Sequence, residues 1–479
     1  FTIQSGKTIT NATGAGASLT VKTTGSILMN SGSSISSSTG KLNTVLWSDS
    51  DNSGSGYIFI HDGNTISTNG GNIVMAGGLD DGANGGTASD GIPDGYAVST
   101  VATASGVSIG RNANAAIAAT TITSGGGNIV MRGKSTGGNP SMGIHYAYGG
   151  TLDAGSGTLT MLGEATNYAG IELSAWLDGA GTSYLDINAG TVDIRGTSSN
   201  TNYHGLASSQ LNNEYTRITA GAGGIYLYGH NTANTNKGVE ISLNATTTGG
   251  GNITVESPNY VAIYGGDNAH SFNAGTGNTT LKSNLLSIGA NHTFSGSGTL
   301  TVEPYTAGRA INIGAIAAGA LNIASSYFSS NFTNGFSGIT IGNATAGAIT
   351  VGGTTTLNDS TTLLSNSTIA INGAITANEN LALTGNGAIT QSAALGVTGT
   401  TAITAGIGND ITLNNASNDF TGAVSVVSGN NVSLIDSNAL TLGAVTAAGT
   451  VDIATLTGNL TLTGAVATTN ATASAIKLN

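Results

Sequence analysis

The chain has 479 residues, of which only 8% are charged, and its composition includes 75 glycines but only 4 prolines. This length exceeds the size at which one compact core stops growing, so we expect several domains or one elongated repeat array. A net charge of −12 and a pI of about 4.6 argue against nucleic acid or an anionic membrane surface as a partner. The chain contains no run of about 20 apolar residues, so the sequence predicts no membrane span.

The composition also argues against disorder. Disordered chains combine low hydrophobicity with high net charge, whereas 39% of these residues are hydrophobic and they recur in short alternating runs typical of strands. Because cysteine is absent, neither disulfides nor thiolate metal sites can hold the fold together. Packing and backbone hydrogen bonds must therefore supply the stability.

The first two thirds of the chain repeat a glycine-led strand signature, in which a glycine precedes alternating apolar residues. From its second to its sixth copy the signature returns after roughly 30 residues each time. Glycine accepts tight bends at little cost, so each copy predicts a corner followed by a short strand. The copies begin at Gly71, Gly127, Gly157, Gly190, Gly223, Gly251 and Gly298.

An insertion at about residues 77–106 stretches the first spacing, from Gly71 to Gly127, to almost twice that length. Aromatic residues also concentrate early, because both Trp and all 14 Tyr residues precede residue 337. We therefore predict two regions: residues 1–336, with longer coils that carry loops, and residues 337–479, with regular coils of about 20 residues.

The last third shows the repeat most plainly. Like apolar positions return from Leu383 to Ile403 and from Leu442 to Leu462, with a period of about 20 residues. A short strand, a corner and another short strand at this period cannot close a compact sandwich but can wind a solenoid. We therefore predict an all-β, single-stranded parallel β-helix of roughly 20 coils with essentially no helix.

Three stretches read Val-Leu-Trp-Ser-Asp-Ser-Asp at residues 45–51, Ile-Ser-Thr-Asn-Gly-Gly-Asn-Ile at 66–73 and Asn-Ala-Ser-Asn-Asp-Phe-Thr-Gly-Ala-Val at 415–424. They resemble recurrent motifs of a known family, the filamentous-haemagglutinin-like bacterial exoproteins of the two-partner-secretion type. The resemblance implies a right-handed parallel β-helix, an extracellular or bacterial cell-surface location, and roles in adhesion, fibres or biofilm. The secretion domain that begins such proteins is not evident in this sequence.

Calcium is the one cofactor that the sequence suggests, because oxygen-rich loops of Asp residues can bind it. Residues 90–95 are similar to the end of calcium-binding Asp-Gly repeats, although the leading aspartates are missing. A flexible acidic loop or a solvated turn explains the same residues without a metal. The candidate ligands are Asp80, Asp81, Asp90 and Asp94 in the insertion, and Asp49 and Asp51 after Trp47.

Two further kinds of site were considered. Tyr226 and Tyr228 fall on one face of a strand and could form a sugar-binding surface, with stacking between coils as the alternative. A solenoid enzyme would need clustered carboxylates or carboxylates beside an Arg. The nearest residues carry no recognisable motif, so we expect no catalytic site: Glu172, Asp178, Asp186, Asp193, Arg195 and Arg217.

The function that these patterns favour is a non-catalytic extracellular structural or adhesive segment of a large surface exoprotein or fibre. Its partners would be host cells, neighbouring cells or glycan surfaces. Residues 1–3 and 476–478 are both typical of strands, and open sheet edges invite pairing, so a self-stacking filament subunit is an alternative. A carbohydrate-binding or polysaccharide-active β-helix protein is the other.

Overall fold

A computed structural model describes residues 1–110, 118–138, 140–176, 183–208, 214–264 and 269–479. Within these ranges no helix is long and apolar enough to cross a bilayer. The helical elements are a 3-10 turn at Ala83–Gly85 and a π-turn at Tyr327–Asn331.

Nearly all regular structure is β-strand, mostly short, although two strands, Ser183–Ser198 and Glu214–Asn231, have 16 and 18 residues and each contributes to two parallel ladders. In chain order the strands are β1 (Thr2–Ile3), β2 (Thr8–Asn11), β3 (Ala17–Lys22), β4 (Ile27–Met29), β5 (Ser34–Ser37), β6 (Leu42–Ser48), β7 (Ile58–Ile60), β8 (Thr65–Ser67), β9 (Ile73–Gly77), β10 (Ala97–Ser99), β11 (Val107–Ile109), β12 (Thr120–Thr123), β13 (Ile129–Ser135), β14 (Ile144–Tyr148), β15 (Gly150–Asp153), β16 (Thr158–Ala165), β17 (Ile171–Trp176), β18 (Ser183–Ser198), β19 (Leu206–Ser208), β20 (Glu214–Asn231), β21 (Val239–Ile241), β22 (Leu243–Thr247), β23 (Ile253–Ile263) and β24 (His270–Asn273).

The remaining strands have the same character. They are β25 (Thr279–Ile288), β26 (His292–Ser295), β27 (Thr299–Glu303), β28 (Ile311–Ile313), β29 (Leu321–Ile323), β30 (Gly338–Gly342), β31 (Ile349–Val351), β32 (Thr355–Leu357), β33 (Thr361–Leu364), β34 (Ile369–Ile371), β35 (Ile375–Ala377), β36 (Leu381–Thr384), β37 (Ile389–Gln391), β38 (Leu395–Val397), β39 (Thr401–Thr404), β40 (Ile411–Leu413), β41 (Asp419–Phe420), β42 (Val424–Gly429), β43 (Val432–Asp436), β44 (Leu440–Ala447), β45 (Val451–Thr455), β46 (Leu460–Leu462), β47 (Val466–Thr468) and β48 (Ile476–Leu478).

The chain divides into two compact units, and the first comprises Phe1–Gly277 with Gly289–His292. Its strands stack in three parallel ladders, so each coil is a triangle of strands. The first ladder joins β1, β4, β7, β11, β14, β17, β19, β21 and the end of β23. The second joins β2, β5, β8, β12, β15, β18, β20, β22 and β24, and the third joins β3, β6, β9, β13, β16, β18, β20 and the start of β23.

The second unit comprises Asn278–Ile288 with Thr293–Asn479, and it too is built from parallel ladders. One ladder runs from β25 through β27, β30, β33, β36, β39, β42 and β44 to β46 and β47. A nine-stranded sheet has the order β29-β28-β31-β34-β37-β40-β43-β45-β48, and a four-stranded sheet has the order β32-β35-β38-β41. The predicted all-β parallel solenoid is confirmed.

Most apolar strand residues point inward and rest on those of the next coil, although Leu462, near the end of its ladder, is half exposed. Leu383 pairs with Ile403, and Leu442 pairs with Leu462, as their spacing predicts. In the first unit the glycine-led signature stacks likewise, with Ile129 on Ile73. The predicted regions 1–336 and 337–479 remain a prediction, since the compact units reflect contacts rather than coil length or loop content.

Two columns of glycine close the corner between the third and first ladders. Gly163 lies in β16, in register with glycines of the neighbouring coils, and it faces Gly170 just before β17. A Cβ on any of these strand glycines would lie 2.0 to 2.3 Å from the carbonyl oxygen of the facing glycine. The backbones therefore touch at this corner in four consecutive coils. The facing pairs are Gly133 with Gly143, Gly163 with Gly170, Gly196 with Gly205, and Gly229 with Gly238.

We predict that Gly163→Ala lowers the free energy of unfolding by at least about 2 kcal/mol, because overpacking a tight interior forces the backbone to shift. The added Cβ would lie 2.3 Å from the Gly170 carbonyl oxygen and 2.4 Å from Ile171 Cγ1. Gly25→Ala is the matched control, since no atom lies within 4 Å of its added Cβ. Guanidinium unfolding followed by circular dichroism measures both, and equal effects would contradict the glycine contact.

Candidate functional site

Tyr226 and Tyr228 lie side by side on the outer face of the third ladder, as their spacing predicts. Their rings are nearly parallel, with centroids 6.4 Å apart. The Tyr226 hydroxyl donates to Glu256 Oε2 at 3.0 Å, and burial followed by the charge of Glu256 raises the pKa of Tyr226. The Arg195 guanidinium lies 4.6 Å from the Tyr226 ring centroid and pairs with Asp193 at 2.7 Å.

The same coils carry a second aromatic surface on the second ladder. Tyr184 stacks on Tyr215 with ring centroids 5.4 Å apart, and the Arg217 guanidinium lies 4.1 Å from the Tyr184 ring centroid. Arg217 also forms an ion pair with Asp186 at 2.5 Å. These two tyrosines were not predicted as a site from the sequence. The sequence does contain one indication of this contact. Tyr184 and Tyr215 occupy outward strand positions one coil apart, so the two rings lie opposite each other in register.

The candidate catalytic acids that the structure describes are distributed over three different ladders. Asp186 and Asp193 belong to one strand, β18, but to different ladders, and each is paired with an arginine. Glu172 lies on β17 in the first ladder. Asp178 lies outside the described residues. The Arg195–Asp193 ion pair thus joins two positions of one strand, whereas the Arg217–Asp186 ion pair joins two adjacent coils.

Histidines do not converge on a metal in the part of the chain that the structure describes, where no group of three or more His, Asp or Glu residues is arranged to hold an ion. His204 Nε2 lies 2.6 Å from Glu240 Oε2. His292 is fully buried, and burial, followed by the nearby His270, lowers the pKa of His292 to about 3. His292 therefore remains neutral across the physiological range.

Asp49 follows β6 directly and organises the turn there. It is fully buried, and its carboxylate accepts hydrogen bonds from the Ser53 hydroxyl at 2.8 Å and the Gly54 amide at 3.1 Å. Asp51, the other candidate ligand in this turn, is exposed. These contacts are those of an aspartate that caps a turn.

The insertion leaves the third ladder after β9 and folds back over the outside of the solenoid. We call residues 78–96 the acidic loop. Its base is held by the Trp47 indole, whose Nε1 donates to the Gly78 carbonyl at 2.8 Å, and by an antiparallel bridge between Gly77 and Gly95. Beneath the loop lies an outward-facing apolar cluster of Val45, Trp47, Val74 and Ala76, against which Ile92 and Val130 pack.

The four aspartates of the acidic loop accept hydrogen bonds from backbone amides of the loop itself. Each amide neutralises part of the charge and fixes a bend, so the carboxylates shape the loop. The contacts are Asp80 with Asp90 N at 3.2 Å and Gly91 N at 2.8 Å, Asp81 with Ala83 N at 3.0 Å, Asp90 with Ile92 N at 2.9 Å, and Asp94 with Gly82 N at 2.7 Å.

Comparison with known proteins bears on the regular coils. A family described as "Repeats of unknown function (DUF5649)" matches residues 359–427. These residues include β33, β36 and β39, which begin at Thr361, Leu381 and Thr401 and stack in register at a constant spacing. No curated protein and no solved structure matches the chain. Fold and match together define a repeat protein of the parallel β-solenoid class.

We predict that millimolar calcium leaves the thermal midpoint of the protein unchanged relative to EDTA. A ligand that binds the folded state raises stability, but the aspartates of the acidic loop already bond backbone amides. Differential scanning calorimetry with calcium, magnesium or EDTA measures this. A midpoint that rises with calcium in the wild type but not in Asp94→Asn would contradict this expectation and support calcium binding by the loop.

Proposed function

We propose that this chain is a non-catalytic structural and adhesive segment of a large extracellular or cell-surface exoprotein, of the filamentous-haemagglutinin-like kind. The observation that carries the proposal is that outward polar side chains are engaged in bonds between coils. Asn380 donates to the Ser360 hydroxyl of the coil before it, and its Oδ1 accepts from the Thr400 amide and hydroxyl of the coil after it, both at 2.8 Å.

Side chains that are hydrogen-bonded between coils are suited to stabilising a scaffold and less suited to binding or transforming a substrate. Asn378 donates to Asn358 at 2.9 Å, and Asn386 donates to Asn366 at 3.3 Å, so amide ladders run along the regular coils. Each bond contributes on the order of 1 kcal/mol, and the sum grows with the number of coils. A stack of this kind holds its surface loops in fixed positions, which suits attachment.

The contact surfaces favoured for adhesion lie in the first unit. Tyr184 is 42% exposed, and tyrosine rings beside arginines contact sugars and protein surfaces well because they are rigid and amphipathic. This surface favours glycans on host or neighbouring cells as partners. It also supports the second candidate function, a carbohydrate-binding β-helix protein, in which Tyr226 and Tyr228 would form a further contact.

An extracellular location is part of the proposal. A chain without cysteine can cross an oxidising compartment without forming wrong disulfides. Its net charge of −12 would help to keep it soluble outside the cell.

We predict that beads coated with the full chain attach to mucin-coated surfaces more strongly than albumin-coated beads do. Tyr184→Ala combined with Tyr226→Ala should lower attachment about ten-fold, the effect of losing about 1.4 kcal/mol of aromatic contact. Thr362→Ala is the control, because Thr362 lies on an outward face of the second unit. Attachment no stronger than that of albumin, or release of sugars from the mucin, would contradict the proposal.

A further inference from the structure

A groove of about 200 Å³ lies between the acidic loop and the outer face of the third ladder. The sheet lines it with Asn72, Asn128 and Arg132, and the loop lines it with Asp90, Ile92 and Asp94. The groove exists because the loop rests on the apolar cluster beneath it and spans two coils of the sheet. It is distinct from both aromatic surfaces.

Arg132 is the unusual residue of this groove. Its side chain faces outward from β13, yet the loop covers it until only 7% remains exposed. Its Nη1 donates to the Pro93 carbonyl at 2.9 Å, whereas its Nε has no hydrogen-bond partner. In the described part of the chain no carboxylate lies within ion-pair distance of it. A buried guanidinium with an unused donor costs free energy unless a ligand or water completes its hydrogen bonds.

The charges around Arg132 indicate what kind of ligand would complete it. Asp90 and Asp94 lie close enough to act electrostatically on the guanidinium, while burial is the larger influence and lowers the pKa of Arg132. One cation and two carboxylates leave the groove with a net charge of −1, which disfavours an anion. Donors and acceptors therefore face each other across a small space, an arrangement that suits hydroxyl groups, because each hydroxyl both donates and accepts.

The size of the groove and its apolar wall further restrict the class of ligand that fits. The volume is below the 300 to 1,000 Å³ that is typical of sites for drug-sized ligands, so it admits one small ring. Val130 and Ile92 supply an apolar wall against which the C–H face of such a ring can pack. The groove is open on one side to the surface, so the ring could belong to a longer chain.

We propose that this groove binds one neutral sugar unit at the end or branch point of a glycan. The guanidinium of Arg132 donates to ring hydroxyls, Asp90 and Asp94 accept from them, and Val130 and Ile92 contact the ring. The inference deepens the adhesive function proposed above and rests on it for its biological meaning. It adds a site that neither aromatic surface provides.

The experiment titrates the full chain with the methyl glycosides of glucose, galactose, mannose and N-acetylglucosamine, and with methyl glucuronide as the anionic probe. Saturation-transfer NMR and calorimetry follow binding. At least one neutral glycoside should bind with a Kd on the order of 1 mM, as expected for a single small ligand. Arg132→Met should weaken that binding at least ten-fold, whereas Arg309→Met should not. Arg309 is a matched control because it likewise donates to a backbone carbonyl and has an unpartnered Nε.

Asp90→Asn tests whether the negative charge of the groove selects a neutral ligand. It also provides a second variant in case Arg132→Met does not fold. It keeps the oxygen that accepts from Ile92 N, so the loop should hold its shape, and binding of the neutral glycoside should weaken several-fold. Tighter binding of methyl glucuronide than of any neutral glycoside, with a further gain in Asp90→Asn, would overturn the proposal. Absence of binding by all five probes would also overturn it.

The bead assay separates this inference from the proposed function. Attachment to mucin that survives Arg132→Met, in a chain that binds no glycoside, refutes the groove and leaves adhesion in place. Glycoside binding by a chain that does not attach refutes adhesion and leaves the groove in place.

Discussion

The in-register stacking of each coil on the next is the interaction on which the rest of the structure depends. It aligns like with like: Met131 rests on Met75 and Met161 rests on Met131 inside the solenoid, while Asn380 and its neighbours align outside. Because strands inside each ladder bond to the coil above and to the coil below, their backbone groups are satisfied without helices or disulfides. A substitution that disturbs the packing of one coil therefore also disturbs the coils on either side of it.

Stacking also determines where variation is tolerated. The interior admits little change, since the facing glycines bring backbones into contact, so differences between coils appear on the outside. The acidic loop shows what an outward excursion requires. The loop packs on an outward-facing apolar cluster around Trp47. By covering that surface it also buries Arg132. The groove is thus a consequence of how the loop is anchored.

The fold could be predicted from the sequence because the inward residues recur locally, as Leu383 and Ile403 do. One copy of the glycine-led signature was not recognised in the sequence, because Thr279 occupies the position where the other copies carry Ile, Val or Leu. In the structure Thr279 pairs in register with Leu300 of the next copy. The sites were harder to predict. Tyr184 and Tyr215 do lie one coil apart, but coil lengths vary in this region, so their register became evident only from the pairing of β18 with β20. Arg132 meets the acidic loop, which departs from the repeat, so no spacing in the sequence indicates that contact.

The most direct test of this account is the distance between coils. Because the chain has no cysteine, spin labels can be attached to cysteines introduced at chosen outward positions. Thr362 pairs with Ala382 on the next coil, and Ala382 pairs with Ala402 on the one after, at about 4.8 Å per coil. Labels at 362 and 382 should show strong dipolar broadening, and labels at 362 and 402 weaker broadening. The absence of broadening at 362 and 382, or stronger coupling at 362 and 402, would contradict in-register stacking.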